Sequence, residues 1–313
     1  MCEEKFQSLT PSSRKNVSKL ITIQEGCDKF CSFCVVPYTR GAEYSRSVEN
    51  IFAETQNLVN NGTKEITLLG QNVSSYSSSV LENGKKKKIS LGGLCKILSK
   101  INGLERIRYL TSHPIDIDDS LINQHKINHK MMPFLHLPVQ AGSDKVLKNM
   151  NRKHSKEFYL KLIKNIRNQV NHMAFSSDFI VGYPGETDLD FQNTLDLIDK
   201  VKFASSYSFK YSARPGTPAS IRKNFVSEEE SDKRLKKIQQ ILNIQQANFN
   251  SSFLGKTVSV LFSGTGKKIN QFVGRTPHLQ PVHVKSTQNI IGKLIKVKIQ
   301  SLTSFSFHGK LVE

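Results

Sequence analysis

Residues 25–41 read EGCDKFCSFCVVPYTRG, which sets Cys27, Cys31 and Cys34 in a C-x3-C-x2-C spacing. The run follows a short apolar segment at 20–23, so the thiols sit where a first strand gives way to its loop. Three thiolates within eight residues can wrap one metal centre, because a thiolate is the soft ligand for iron–sulfur clusters or zinc. A structural zinc takes four ligands. Here no fourth cysteine is near, and the nearest histidine in sequence is His113. A [4Fe-4S] cluster held by three cysteines keeps one iron open, as a reactive centre requires. The competing reading is three structural cysteines that are close by coincidence.

Outward from this loop, strands and helices alternate. β-rich runs at 20–23, 65–69, 107–111, 134–138, 176–181 and 206–211 are separated by helical patterns. Ile51, Thr55, Leu58 and Val59 form one stripe, and Phe191, Leu195 and Ile198 form another. Thr187 and Asp190 have the spacing of a capping box, as do Ser227 and Glu230 at the start of a long helix carrying Leu235, Ile238 and Leu242. Six such units imply an α/β fold with a parallel sheet, either doubly wound or curled into a partial barrel. In both, ligands bind at the C-terminal ends of the strands.

The pattern changes near residue 250. Runs at 256–262, 271–274, 281–284, 294–300 and 304–307, split by Gly-containing turns, read as a small all-β barrel. The expected organisation is a linker at 1–18, an α/β domain at 19–250 and a β domain at 251–313. Residues 74–90, with a serine run and four lysines at 85–88, read as a solvated surface loop. Cys2 and Cys95 are isolated, and Cys95 lies on the apolar face of a helix with Leu91, Leu94 and Leu98, which marks it as a core residue.

Composition narrows the function. The 313 residues carry 45 Lys and Arg against 26 Asp and Glu, a net charge of +19. Residues 251–313 hold nine basic residues and one acidic one, while the preceding 250 hold 36 and 25. That density of charge in the β domain points to nucleic acid, beyond what a Lys-rich composition produces throughout. No apolar run is long enough for a membrane span, and no secretory signal pattern opens the chain. An odd, uneven set of five cysteines does not make a disulfide framework, so a reducing cytoplasm is expected.

The cysteine run resembles the signature of the radical S-adenosylmethionine (SAM) superfamily, and the wider run resembles its methylthiotransferases. LLGQNV at 68–73, TSHP at 111–114, LHLPVQAGSDKVLKNMNR at 135–152, SDFIVGYPGET at 177–187 and YSARPGTP at 211–218 extend the likeness to the MiaB type, the tRNA 2-methylthio-N6-isopentenyladenosine synthases. VVPYTRG, GQN and TSHP favour that subgroup over those acting on threonylcarbamoyladenosine or on ribosomal protein. The resemblance implies a partial (β/α)6 barrel followed by a TRAM-like RNA-binding barrel. It also implies that Cys27, Cys31 and Cys34 bind a [4Fe-4S] cluster whose fourth iron takes the amino and carboxylate groups of SAM. By the same resemblance Phe33 lies against the adenine of SAM. Gly70, Gln71 and Asn72 meet the methionine amino group, Gln140, Ser143 and Arg152 lie near the ribose and carboxylate, and Gly182 borders the adenine. Gly182 and Gly185 have a plainer reading as turn formers, and Arg152 as the partner of a surface acid. No side chain is assigned a catalytic role.

The mechanism so implied is reductive cleavage of SAM to a 5′-deoxyadenosyl radical, hydrogen removal from an adenine carbon, and installation of a methylthio group there. It needs an electron donor. It also needs a tRNA whose unpaired loop base is accessible, the usual basis of specific RNA recognition. Members of the family carry a further N-terminal domain with a second cluster for sulfur delivery, and neither Cys2 nor Cys95 can substitute for its cysteines. Three explanations stand open for that domain, a separately encoded partner, loss through gene decay, or omission by a wrong start site, and the chain alone is expected to cleave SAM without completing methylthiolation. The competing class is a non-enzymatic RNA-binding protein with a structural metal site.

Overall fold

The computed structural model describes residues 16–82 and 84–312. Most of the segment read as a linker, and Cys2 with it, lies outside those residues. The chain begins with β1 (Ser18–Thr22), β2 (Gln24–Glu25), α1 (Val36–Arg40), β3 (Tyr44–Ser45), α2 (Val48–Asn60) and β4 (Glu65–Leu69). A hairpin of β5 (Ser77–Glu82) and β6 (Lys85–Ser90) precedes α3 (Leu91–Leu98), β7 (Arg106–Tyr109), α4 (Asp119–Ile127) and β8 (Phe134–His136). Next come α5 (Asp144–Asn149), α6 (Lys156–Gln169), β9 (Ala174–Val181), α7 (Asp188–Val201), β10 (Ser205–Lys210) and α8 (Glu228–Ser251).

The strands β1, β4 and β7 pair in parallel, as do β8, β9 and β10. The two sheets meet through Ile107, whose N–H donates to the Lys130 carbonyl and whose carbonyl accepts from Met132. The spatial order therefore follows the sequence, and β1 and β10 remain as edges. This is the partial (β/α)6 barrel, and a doubly wound order is excluded. Alternation on β1 shows the two faces: Ile21 is fully buried against the helices, while Leu20 on the inner face is 61% exposed. Tyr207 and Phe209 on edge strand β10 are likewise exposed.

The helices form as their patterns require. Ile51, Thr55 and Val59 of α2 are buried, and Thr187 and Asp190 close a full capping box on α7. At Ser227 only half of the expected box is present. The serine oxygen accepts from the Glu230 N–H, but the Glu230 carboxylate turns to Arg234 Nε at 3.0 Å. Residues 74–90 are not a loop either. A 3₁₀ turn at Val73–Ser75 leads through buried Tyr76 into the β5–β6 hairpin, which pairs over six positions. Lysines occupy both faces of β6, so the alternation that marks a half-buried strand is missing there. Cys95 is fully buried, and burial pushes its thiol up to about 12.

After α8 the strands β11 (Thr257–Thr265), β12 (Gln271–Arg275), β13 (Pro281–Lys285), β14 (Leu294–Leu302) and β15 (Phe307–Leu311) close a barrel in the order β11-β12-β13-β15-β14. The last strand begins later than its sequence reads. Thr303 and Ser306 form a tight turn, with Thr303 N–H donating to the Ser306 carbonyl at 2.8 Å. Val260, Phe262, Val282, Val297 and Phe307 fill this second core. Among the described residues, no helix is long and apolar enough to cross a membrane.

Candidate cofactor site

The cysteine loop leaves the C-terminal end of β1 and is fixed at several points. Gly26 has φ +76°, and any Cβ there would collide with the Ala42 carbonyl, so the turn into the motif demands glycine. Its N–H donates to Gln71 Oε1 at 2.8 Å, and the Asn72 N–H donates to Gln24 Oε1 at 3.1 Å. Gln71 and Asn72 thus tie the end of β4 to the loop. Lys29 pairs with Asp116 at 2.7 Å, and the other oxygen of that carboxylate accepts from Asn72 Nδ2 at 2.7 Å. On the far side, Ser32 is buried. Its N–H donates to the Met150 carbonyl, its hydroxyl donates to the Asn149 carbonyl at 2.8 Å, and its carbonyl accepts from Ala219 N–H.

Cys31 is buried, while Cys27 and Cys34 are half-buried. Burial pushes the Cys27 thiol up to about 11, ahead of the lowering by the Lys29 backbone hydrogen bond; the Cys34 thiol is also raised by burial. Metal-free, these two thiols keep their protons, and a metal must displace them to bind. Arg152 is buried beside Cys31, its Nη1 3.5 Å from the sulfur, and Nη2 donates to the Pro138 carbonyl. The guanidinium sets a fixed positive charge beside the Cys31 sulfur. Among the described residues, no three His, Cys, Asp or Glu side chains converge tightly enough for a single ion. Three thiols on one loop are a donor set that an iron–sulfur cluster takes.

The other sequence candidates gather at the strand ends, with different duties. Phe33 is half-buried against the apolar group of Ala141, Val146, Leu147, Met150, Tyr183 and Ala219. Gly70 lies on Gln24, where a Cβ would meet the glutamine at 2.7 Å. Gln140 takes φ +77°, a strained conformation for a residue with a Cβ, and its backbone bridges Asp178 and Ile180 of β9. Ser143 caps α5 and donates to Asp190 Oδ1 at 2.6 Å, so its hydroxyl is engaged within the protein. Gly182 has φ +70° and lies against Ser231 of α8, and its N–H donates to Glu186 Oε2 at 2.7 Å. Glu186 in turn pairs with Arg234 at 2.8 Å, which accounts for the glycine as a packing requirement between loop and helix.

Sequence reasoning missed Lys29, Asp116, Ser32 and Gln24 as the residues that fix the loop. It also passed over backbone strain near the site. Phe30, Thr111, Asn151 and Lys153 all have positive φ, and Thr111, being β-branched, is the strongest outlier. Only the TSHP run signalled this region in sequence. Beneath the site, a cavity of about 450 Å³ lies between the inner face of the sheet and the small barrel, lined among others by Thr111, His136, Tyr207, Arg275 and His278. It follows the barrel interior rather than the cysteine loop, none of whose residues line it.

Known proteins agree with this architecture. Residues 21–198 match the Radical SAM superfamily and residues 251–312 match the TRAM domain. A tRNA-2-methylthio-N(6)-dimethylallyladenosine synthase of Rickettsia canadensis (strain McKiel) is 49% identical over 311 residues, covering 99% of this chain and 69% of the relative. The enzyme of the same name from Rickettsia prowazekii (strain Madrid E) is 49% identical over 313 residues, with the same coverage. Among solved structures, the radical S-adenosylmethionine methyltransferase TsrM from Kitasatospora setae, with cobalamin and a [4Fe-4S] cluster bound, superposes with a TM-score of 0.52 at 14% identity. That match covers 66% of this chain and 39% of the other, and it concerns the fold. With its cysteine loop on a partial barrel, its terminal TRAM domain and half its residues shared with these synthases, the chain belongs to the methylthiotransferases of the radical SAM superfamily.

Proposed function

We propose that this protein is a radical SAM tRNA methylthiotransferase that adds a methylthio group to the adenine of N6-isopentenyladenosine beside the anticodon. The observation that carries the reading is the cysteine loop itself, three thiols on one clamped segment with a buried guanidinium against Cys31. Cys27, Cys31 and Cys34 would hold the [4Fe-4S] cluster, and Phe33, Gly70, Gln71, Asn72, Gln140, Ser143, Arg152 and Gly182 would border SAM, either directly or by fixing the segments that touch it. When bound, cluster and SAM supply reductive cleavage and a radical able to take hydrogen from an unactivated carbon. The protein's own part is positioning and exclusion of water. Gln71, Asn72 and Asp116 hold the loop over the strand ends, and Tyr207 and Thr111 line an interior cavity of about 450 Å³.

The TRAM barrel supplies a surface for RNA phosphate. Lys296 and Lys298 face outward on β14, alternating with buried Val297 and Ile299. Lys298 stands directly opposite Lys310 of β15. Like charges opposed across a sheet are destabilising, and a polyanion relieves that cost. The reading also requires an electron donor and a source of sulfur, for which a partner domain with a second cluster is proposed, in a cytoplasmic setting where tRNA and reduced thiols are found. Deleting the coding sequence and weighing the nucleosides of total tRNA tests it. Loss of the 2-methylthio derivative with accumulation of N6-isopentenyladenosine is expected, and an unchanged nucleoside profile contradicts it.

A further inference from the structure

The lysine run at 85–88 has no part in the site described above, yet the fold mounts it on a paired ribbon, β5 with β6. The ribbon is anchored at its root. Tyr76 is buried and its hydroxyl donates to the Arg46 carbonyl at 2.8 Å, while the Ser77 N–H donates to Ser45 Oγ at 3.1 Å. Register then sorts the side chains into two faces. Val80 and Ile89 share the face that packs on the main core, opposite Lys87 and Ser78. Lys86 and Lys88 share the outward face with Ser79 and Leu81, which is 75% exposed. Lys85, Lys86 and Lys88 are exposed and, among the described residues, enter no ion pair; Lys87 is engaged within the protein.

Such a strand is costly without a partner. Lysine is depleted in strands, and neighbouring like charges repel. A lysine on an open edge guards against mispairing, but that duty does not call for four in succession. A polyanion offsets the repulsion. Lys86 and Lys88 stand about 6.8 Å apart along the strand, comparable to the step between phosphates of one nucleic-acid strand.

The hairpin's place in the fold indicates which polyanion. It leaves the Leu69 end of β4 through Asn72, whose side chain bonds the Asp116 carboxylate that holds Lys29 of the cysteine loop. The TRAM barrel is bonded at the other end of β4, where Arg108 joins Glu65 to the Thr276 and Pro277 carbonyls. Two basic surfaces thus stand at opposite ends of one strand roughly 16 Å long, and the cysteine loop is on the hairpin's side. An RNA that offers a base to that loop's site and phosphates to the TRAM barrel must run past the hairpin.

We propose that the β5–β6 hairpin is a second RNA-binding element, in which Lys85, Lys86 and Lys88 contact phosphates of the anticodon arm at the rim of the cofactor site. The inference rests on the reading above that the substrate is tRNA, and it adds a contact separate from the TRAM barrel.

The test measures binding of isopentenylated tRNA to the reconstituted full chain by fluorescence anisotropy over a series of salt concentrations. Lys85→Ala, Lys86→Ala and Lys88→Ala combined should lower the salt slope by roughly 2–2.7, since each phosphate contact contributes about 0.7–0.9. Arginine at the same three positions keeps the charge and should keep the slope. Alanine at Lys126, Lys164 and Lys237, exposed on α4, α6 and α8, should leave the slope as in wild type. Iron content and SAM cleavage without RNA should match wild type in every variant. An unchanged slope in the hairpin variant, or an equal fall from the scattered lysines, overturns the proposal and leaves the hairpin to solvent or to an acidic protein partner. Wild-type protein that loads its cluster yet shows no salt-dependent affinity for tRNA would instead overturn the tRNA reading.

Discussion

Arg108 Nε lies 2.9 Å from Glu65 Oε2 across neighbouring strands β7 and β4, with both side chains buried. The same guanidinium donates from Nη1 to the Pro277 carbonyl and from Nη2 to the Thr276 carbonyl, both in the C-terminal barrel. Arg106 repeats the arrangement two residues earlier, donating to the carbonyls of Arg275 and Ser259. A pair of inward-pointing arginines on one strand thus binds the TRAM barrel to the inner face of the partial barrel. Burial lowers both guanidinium groups, Arg106 to about 10, while Glu65 opposes that lowering.

Arg108→Ala is expected to loosen that junction. Removing one member of a buried ion pair costs roughly 3–5 kcal/mol, and the lower part of that range applies because Arg106 remains 3.9 Å from Glu65. Thermal unfolding should fall by several degrees, and limited proteolysis should open the chain between the two domains. An unchanged melt would show that the junction contributes little.

The junction also decides how RNA affinity is measured. Cutting the chain near residue 250 would strip Arg106 and Arg108 of the carbonyls they bond in the second barrel. Replacing exposed Lys293, Lys296, Lys298 and Lys310 by alanine is the cleaner change. Each lysine–phosphate interaction removed should reduce the salt slope of tRNA binding by roughly 0.7–0.9. A slope equal to that of wild type would assign the basic surface to composition.

His125 gives a pH signature independent of the site. It is buried and hydrogen-bonded to the Tyr109 hydroxyl at 2.7 Å, and burial, then the nearby His172 charge, lowers it to about 4. Above the unfolded value, near 6.5, the ring is neutral in both states. As pH falls below it, the unfolded chain takes up a proton that the folded one refuses. Stability is therefore lost progressively from about pH 6.5 down to about 4. Melting temperatures across that window should decline less steeply for His125→Gln than for wild type. Parallel curves would remove His125 from the explanation.

What the sequence made legible follows from local chemistry. Helix stripes, the Thr187 capping box and the six strands depend on residues a few positions apart, and they fall where pattern places them. The cysteine motif was readable because its three thiols lie within eight residues of one another. Interactions that span the chain left no such trace. Asp116 reaches Lys29 across 87 positions, and Arg106 reaches Arg275 across 169. The late start of β15 was hidden for a related reason, since the Thr303–Ser306 turn is closed by side-chain oxygens that a strand pattern ignores. Ser143 shows the reverse error of emphasis: its place in a motif said nothing of the Asp190 carboxylate that engages its hydroxyl.

The cysteine assignment makes a stoichiometric prediction. Anaerobically reconstituted protein should hold about four irons and four sulfides per chain, and Cys31→Ala should hold almost none. Zinc in their place, or a full complement of iron in the variant, would return the loop to a structural role.

The most direct measurement of the central claim is 5′-deoxyadenosine formed from SAM by the reduced, iron-loaded protein. Reductive cleavage needs only a cluster with an open iron and a SAM pocket, both assigned to the loop of Cys27, Cys31 and Cys34 and the strand ends around it. Mass spectrometry should find 5′-deoxyadenosine and methionine appearing together with wild-type protein, and neither with Cys31→Ala. Wild-type protein carrying a complete, reducible cluster that leaves SAM intact would contradict the account.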